Sequence, residues 1–255
     1  MKKFLRIGIL SFILVFVLSI SVFADSATVT YRIMSTSDHG GIIFDEEVNT
    51  DTSKTYFDVL KDICDNDSSL LLKYVGSGAS TYVQGIGKGS SEKDIQMEKR
   101  YLPNEKYYSG WMYRVNNELP NYSAGDTNKA KVSDGDVITW YYCCPAYTYF
   151  PKLESNDITQ DDEELVVNVK AEKFKDVWTW QMETVDLNEG KVVLEYDGES
   201  IEADIVNGQA IFDDVSNYRG KTVNIYVKEQ YYEENEDPDH CLKIVKSQEV
   251  KFNIN

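Results

Sequence analysis

Two segments rich in aromatic and β-branched residues, 110–117 and 134–142, constrain the fold of this chain most strongly. The first reads Gly-Trp-Met-Tyr-Arg-Val-Asn-Asn and the second Asp-Gly-Asp-Val-Ile-Thr-Trp-Tyr-Tyr. Aromatic and β-branched side chains favour a half-buried, pleated surface, while Asn, Asp and Gly accept the backbone angles of tight turns. The segments therefore predict two strands joined by a loop, with Trp140 and Tyr142 in the core.

The residues before these segments predict a hairpin at the start of the globular part. Residues 27–34 alternate with period two, so that Val29, Tyr31 and Ile33 share one apolar face. That alternation is typical of a strand with one buried face. A turn with two glycines follows, and residues 42–48 predict the second strand of the hairpin.

A single helix is predicted after the hairpin. Thr55 and Asp58 have the spacing of a capping box, in which each side chain binds a free backbone N–H at the start of a helix. One apolar stripe follows at helical spacing, made by Tyr56, Val59, Leu60, Ile63 and Cys64. Short strands are then predicted at 70–75 and 81–86, and a long polar loop at 90–109. One helix across a mixed sheet is an α+β arrangement, and this order predicts a β-grasp for residues 27–145.

The same residues carry a resemblance to a known family. Three groups of residues resemble the transcobalamin-like C-terminal domain family, which occurs in vitamin B12 carriers and in exported bacterial proteins of unknown role. The resemblance covers roughly residues 27–145 and implies a β-grasp-like fold, but it does not imply the ligand. The groups are Thr55, Asp58 and Leu60; Gly110, Trp111, Met112, Tyr113, Val115 and Asn116; and Gly135, Asp136, Ile138, Trp140 and Tyr142.

The second half predicts a separate domain of a different class. Residues 146–164 contain a Tyr-rich connector and an acidic run, which predict a linker. Several short strands with turn signals then predict an all-β, immunoglobulin-like sandwich over 165–255. Asp197-Gly198 and Asn207-Gly208 are hairpin signals. The predicted strands are 165–169, 191–196, 200–206, 209–212, 222–228 and 243–254.

The N-terminal residues 1–24 have the pattern of a signal peptide. Lys2, Lys3 and Arg6 precede an apolar run over 7–22, and cleavage is expected after Ala24. An uncleaved membrane anchor is the alternative, although the run is short for a spanning helix. We therefore expect a secreted or cell-surface bacterial protein that is not inserted in the membrane after cleavage.

The charge of the chain excludes several classes of partner. The formal net charge is −17 at pH 7, and such an acidic protein repels nucleic acid and anionic membranes. An acidic composition favours cationic ligands or divalent ions, but it is most often a solvated surface. No cofactor is predicted.

No catalytic or metal-binding set is evident, so an enzyme is not predicted. The two histidines, His39 and His240, lie in a turn and beside an acidic loop, and no Gly-x-Ser-x-Gly elbow is present. The acidic groups at 65–67 and 161–164 offer oxygen ligands of the kind that calcium takes. Both lack the spacing of an EF-hand, so we interpret them as a helix end and a solvated run, and no metal site is predicted.

The four cysteines are disulfide candidates, because export permits disulfides. Cys144 shares a strand face with Trp140 and Tyr142, so it could reach Cys64 if that face lies under the helix. Cys143 would then point away from the helix, towards Cys241 of the second domain. A bond between the adjacent Cys143 and Cys144, or four free thiols, are the alternatives.

Exposed aromatic residues supply the candidate ligand-binding surface. Tyr and Trp are frequent binding anchors, and the candidates are Tyr107, Tyr108, Trp111, Tyr113 and Tyr122. Part of this set must face the core if it lies on strands. We expect a binding or adhesion protein without catalytic activity, whose partner is a surface protein, a glycan or a small ligand. A carrier of cobalamin or a similar cofactor is the main alternative, and a surface hydrolase is a third.

Overall fold

A computed structural model describes residues 25–99, 109–161, 164–233 and 241–255 of the chain. Within these ranges the fold is predominantly β, with several sheets and a single α-helix. The predicted signal peptide, residues 1–24, lies outside the described residues. None of the helical structure within them is long and apolar enough to span a bilayer.

The elements are numbered here in chain order. The helix α1 spans Tyr56–Asn66. The strands of the first half are β1 Ser26–Met34, β2 Ile42–Asp51, β3 Leu70–Val75, β4 Tyr82–Lys88, β5 Ile95–Met97, β6 Gly110–Val115 and β7 Val137–Cys143. The later strands are β8 Phe150–Lys152, β9 Ile158–Asp161, β10 Glu164–Asn168, β11 Lys170–Asp176, β12 Gln181–Asp186, β13 Lys191–Tyr196, β14 Glu199–Asp204, β15 Gln209–Phe212, β16 Thr222–Val227, β17 Gln230–Tyr231, β18 Leu242–Ile244 and β19 Val250–Asn253.

The first sheet is mixed and is centred on β7. On one edge β7 pairs in parallel with β1, which in turn pairs antiparallel with β2. On the other edge β7 pairs antiparallel with β6, so that Tyr113 lies opposite Trp140. The strands predicted in segments 110–117 and 134–142 therefore form as β6 and β7, and the predicted hairpin forms as β1 and β2.

Helix α1 covers one face of this sheet. Its start has the predicted capping box: the Asp58 amide donates to Thr55 Oγ1 at 3.1 Å, and the Thr55 amide donates to Asp58 Oδ2 at 2.8 Å. The apolar stripe of α1 packs on the face formed by Val29, Tyr31 and Ile33, all of them buried. The face of β7 with Trp140 and Tyr142 belongs to the same core, as the sequence predicts.

A three-stranded sheet of β3, β4 and β5 lies beside α1 and β6. Strand β5 falls inside the segment 90–109 that the sequence predicts as a loop, so that prediction is wrong for Ile95–Met97. A polar segment forms a strand there because β4 offers it a free edge: Gly85 lies opposite Met97 and Gly87 opposite Ile95. A side chain on either glycine would collide with β5 or the turn before it. Residues 100–108 of the predicted loop lie outside the described residues.

The second half forms three further sheets around its own apolar core. Their orders are β15–β10–β9, β12–β11–β8 and β14–β13–β16–β19. The two hairpin turns have the positive φ angles that their sequences predict. The φ angles are 53° at Asp197 and 80° at Gly198, and 52° at Asn207 and 77° at Gly208. This arrangement is consistent with the predicted all-β sandwich.

Two segments connect the halves more closely than a linker would. The expected linker, residues 146–164, contains β8 and β9, which pair with β11 and β10 of the second half. The strand predicted over 243–254 is in fact two strands, which corrects that prediction. Strand β18 pairs in parallel with β7 of the first sheet, whereas β19 pairs with β16.

The face of the first sheet opposite α1 is also buried. Met34, Tyr141 and Cys143 on that face have no exposed surface. They are covered by residues of the second half and of the segments between, Phe150, Phe174, Leu242 and Val245. The first sheet is therefore the middle layer of the molecule, with α1 on one side and second-half residues on the other.

Candidate functional site

An aromatic cleft at the junction of the two halves is the best candidate site in the described structure. It has a volume of about 270 Å³ and is open to solvent on one side. Four parts of the chain line it: the start of β4, strand β6 with Trp140 behind it, the loop 119–124, and Trp180 from the turn between β11 and β12. A cleft of this size suits a ligand of one or two rings, because drug-sized ligands usually occupy about 300 Å³ or more.

Rings on β6 and β7 form the back wall of the cleft. Tyr113 and Trp140 are cross-strand neighbours whose rings stack at a centroid distance of 5.2 Å and an angle of 27°. Trp111 meets Tyr142 edge to face at 5.7 Å, and its indole N–H donates to the Gln96 carbonyl at 2.7 Å. Because each ring is held by another ring or by a hydrogen bond, the wall is formed before any ligand binds.

The loop 119–124 forms the side of the cleft and is tied to its surroundings. The Tyr113 hydroxyl donates to the Tyr122 carbonyl at 2.7 Å, and Ser123 Oγ donates to the Thr81 carbonyl at 2.8 Å. The Phe57 amide donates to the Ala124 carbonyl at 3.0 Å, which links the loop to the first turn of α1. These bonds fix the backbone around the half-buried ring of Tyr122.

Trp180 approaches the cleft from the second half of the chain. Its ring meets Phe174 edge to face at 5.4 Å, and Phe174 in turn meets Phe150 at 6.1 Å. Phe150 packs against Tyr141 of β7 at 5.6 Å. This series of rings holds Trp180 beside β6, although the side chain keeps 50% of its surface exposed.

The residues that line the cleft carry no formal charge. Burial raises the pKa of the Tyr113 hydroxyl well above its usual range, and the nearby Tyr122 and Tyr56 raise it further. Tyr113 is therefore neutral throughout the physiological pH range. The cleft thus offers flat apolar faces with a few neutral hydrogen-bonding groups and no group that suits an ion.

The structure brings three of the five predicted ligand-binding residues together. Trp111, Tyr113 and Tyr122 all line the cleft, but the first two are mostly buried and present only part of their rings. Tyr107 and Tyr108 lie outside the described residues. The loop between β6 and β7 thus contributes Tyr122 and its neighbours to the cleft.

Sequence reasoning missed Tyr82, Trp140 and Trp180 as parts of the site. The sequence predicts Trp140 in the core, and it does lie in the core while also closing the back of the cleft. Trp178 and Trp180 alternate in an otherwise polar segment, and that spacing of two large rings was the available signal. Trp178 points away into solvent with 78% of its surface exposed and does not line the cleft.

The four cysteines form no disulfide in the structure, and all four are buried. Cys64, Cys144 and Cys241 belong to the core beneath α1. Cys143 lies on the opposite face of β7, where its Sγ atom is 3.6 Å from the sulfur of Met112. The structure therefore separates Cys143 from Cys241, which was its expected partner, by placing them in different cores.

The described residues offer no alternative site with obvious chemistry. Among them no three His, Cys, Asp or Glu side chains gather as a metal site would require. His39 lies in the turn before β2, and its Nδ1 atom is 3.0 Å from the Thr36 hydroxyl. His240 lies outside the described residues.

One comparison with known proteins bears on this site. Residues 53–143 match the model of a transcobalamin-like family described as a domain of unknown function, DUF4430. The matched range runs from just before α1 to the end of β7, so it includes every part of the cleft except Trp180. No curated protein matches the chain.

Proposed function

We propose that this chain is an exported, non-catalytic binding protein whose aromatic cleft holds a neutral ligand, a sugar unit of a cell-surface glycan. The observation that supports this is the uncharged aromatic lining of the cleft. Sugar rings have one apolar face that stacks on aromatic rings, while their hydroxyl groups bond to neutral donors and acceptors. Tyr122 and Trp180 are the two walls that a ring would contact.

The same proposal includes a β-grasp-like first half that is secreted or displayed at the cell surface. The mixed sheet with α1 across it, together with the transcobalamin-like match, supports that assignment of the fold. The signal-like residues 1–24 support export. Fractionating the producing cell tests the location, and finding the full-length chain in the cytoplasm would overturn it.

Titration of the purified protein with a panel of neutral and acidic oligosaccharides tests the cleft, with tryptophan fluorescence as the readout. Neutral sugars are expected to bind and to change the fluorescence. Binding should not vary between about pH 5 and pH 9, because no lining group titrates there. Exclusive binding of acidic sugars, or release of new reducing ends from any of them, would contradict the proposal.

Two neighbouring tryptophans supply a matched pair of variants. Trp180→Ala removes a wall of the cleft and is expected to weaken binding at least about fivefold, as truncating an aromatic anchor does. Trp178→Ala removes an equally large and more exposed ring from the same turn, and affinity should change less than twofold. Equal effects of the two substitutions would place the ligand elsewhere.

A carrier of cobalamin or a related corrinoid is the second candidate, because the matched family is transcobalamin-like. A corrinoid ring is far larger than the cleft, so most of it would have to lie outside the cleft. Visible absorption of the purified protein, with and without added cobalamin, distinguishes the two. A bound chromophore or a spectral shift that Trp180→Ala abolishes would favour the carrier over the glycan-binding protein.

A further inference from the structure

Strand β2 has a second edge to which no described strand pairs. Its partner is β1, which runs antiparallel from Ser26 opposite Asp51 to Met34 opposite Ile42. Alternate residues of such an edge strand direct their N–H and C=O groups away from the sheet. The Lys88 ammonium donates to the Ile43 carbonyl at 3.3 Å, so the available edge begins at Phe44.

A groove runs beside this edge between β2 and α1. Its volume is about 420 Å³, and Val59 and Ile63 of the helix form its floor together with Phe44 and Val48 of the strand. The two helix residues are buried, and the two strand residues are partly exposed. The groove therefore offers apolar contact surface immediately next to unpaired backbone groups.

The side chains of β2 that face the groove alternate in character. Phe44, Glu46 and Val48 lie opposite Ile33, Tyr31 and Val29 of β1, whose side chains point to the helix side. Side chains of paired residues point to the same face of a sheet. The groove side of β2 thus reads apolar, acidic, apolar, with the exposed Glu46 in the middle.

The charge around the groove selects the kind of occupant. Lys54 is already paired with Asp62 at one end of the groove, and Glu46 pairs with no cation in the part of the chain that the structure describes. A second copy of this chain would bring a net charge of −17 to an acidic edge, and like charges that face each other across strands destabilise the pairing. A basic segment of a different protein fits better.

We propose that β2 and the groove bind an extended segment of a partner protein by strand addition. The segment carries apolar, basic and apolar residues at alternate positions, opposite Phe44, Glu46 and Val48. Backbone hydrogen bonds to the β2 edge supply affinity, and the alternate side chains in the groove supply specificity. This surface is distinct from the aromatic cleft and does not depend on the glycan-binding proposal.

A labelled peptide tests the proposal with the full chain after signal removal. The probe contains Val-Thr-Lys-Thr-Val between polar flanks, and its binding is followed by fluorescence anisotropy. Two matched peptides replace Lys with Glu or shuffle the five residues so that the alternation is lost. We expect the probe to bind and both control peptides to bind at least about fivefold more weakly, since opposite charges and apolar pairs across strands stabilise the pairing and like charges destabilise it.

Neighbouring glutamates on β2 supply the matched protein variants. Glu46→Lys reverses the charge in the groove, so it should weaken binding of the Lys probe several-fold and strengthen binding of the Glu peptide. Glu47 is also exposed but points to the opposite face, and Glu47→Lys should leave the preference for Lys unchanged. If both variants behave alike, or if the probe does not bind, the proposal is overturned.

Amide hydrogen exchange distinguishes strand addition from contact through side chains alone. Bound probe is expected to slow exchange of the outward-facing amides between Phe44 and Thr50. Protection elsewhere with none in β2 would overturn the assignment of the site. Self-association of the chain that the probe cannot displace, and that Glu46→Lys abolishes, would show instead that a second copy occupies the edge.

Discussion

Tyr31 joins three elements through a single hydroxyl group. The indole N–H of Trp140 donates to Tyr31 Oη at 2.7 Å, and this hydroxyl donates to the Tyr56 carbonyl at 2.8 Å. The residue is fully buried. Burial raises the pKa of its hydroxyl well above the usual range, so Tyr31 stays protonated and can donate. The bond therefore links β1, β7 and the first turn of α1.

Replacing Tyr31 with Phe is expected to reduce the free energy of unfolding by about 1–3 kcal/mol, because a buried donor and a buried acceptor lose their partner. Urea denaturation followed by far-UV circular dichroism measures the change. Tyr74→Phe is the matched control, since Tyr74 is exposed and its ring contact with Phe57 is kept. If Tyr31→Phe lowers the free energy of unfolding no more than Tyr74→Phe does, the hydroxyl does not stabilise the core.

Burial also controls the reactivity of the four cysteines. Burial raises the pKa of the Cys64 thiol to about 12, and burial also raises that of Cys143. Both are therefore protonated and unreactive in the folded chain. We expect a thiol reagent to label none of the four cysteines in native protein and all four after denaturation without reductant. Fewer than four labelled thiols in the denatured chain would instead support the disulfides that the sequence predicts.

Helix α1 depends on the capping box at its start. Thr55→Ala removes the acceptor for the Asp58 amide and the hydroxyl that donates to Asp58 Oδ2. The expected loss in free energy of unfolding is about 1 kcal/mol, typical of a lost N-cap. Thr55→Ser keeps the oxygen and should lose much less. Denaturation of both variants measures the difference, and similar losses would assign the role of Thr55 to its methyl group.

Elements whose signal is local were predictable from the sequence. The alternation of Val29, Tyr31 and Ile33 correctly identified the buried face of β1, and Thr55 with Asp58 correctly identified the start of α1. Both signals depend on residues within one turn or one strand, where side-chain direction follows from backbone geometry. The hairpin turn at Asn207-Gly208 was predictable for the same reason.

Elements whose partner is distant in sequence were not predictable. Strand β18 has three residues, and it pairs with β7 because the second half brings it to that edge. The aromatic cleft is a similar case. The sequence predicts three of its residues from their aromatic type, but Trp180 reaches the cleft only through the packing of Phe174 on Phe150. Composition identifies an aromatic side chain, whereas the fold decides which rings meet.

The first sheet has buried residues on both of its faces. Arg32 on β1 illustrates how closely the halves are joined, because its guanidinium contacts Asp45 at 2.8 Å, Glu249 at 3.6 Å and the Ser247 carbonyl at 3.5 Å. Lys246 adds a second cation to the same carboxylates. A buried charge that lost such partners would be costly. The C-terminal segment is thus part of the stability of the first sheet.

Shared burial predicts that the two halves unfold together. Met34, Tyr141 and Cys143 would be exposed on an apolar face if residues 146–255 were removed, and neither Phe150 nor Leu242 would remain to cover them. We expect the full chain to unfold in one urea transition with coincident fluorescence and circular dichroism curves. A fragment of residues 25–145 should be less stable than the full chain, and its exposed face should bind a hydrophobic dye.

The alternative is two independent domains joined by a linker, as the sequence predicts from residues 146–164. In that case the fragment 25–145 would fold with native near-UV circular dichroism and a midpoint equal to one of two transitions of the full chain.

A single substitution between the two halves tests the same point without shortening the chain. Val245→Ala opens a cavity at the covered face, and the cost should be about 1–3 kcal/mol. If the two halves fold together, Val245→Ala lowers the one midpoint that fluorescence and circular dichroism share. If they are independent domains, one of two transitions shifts and the other stays unchanged.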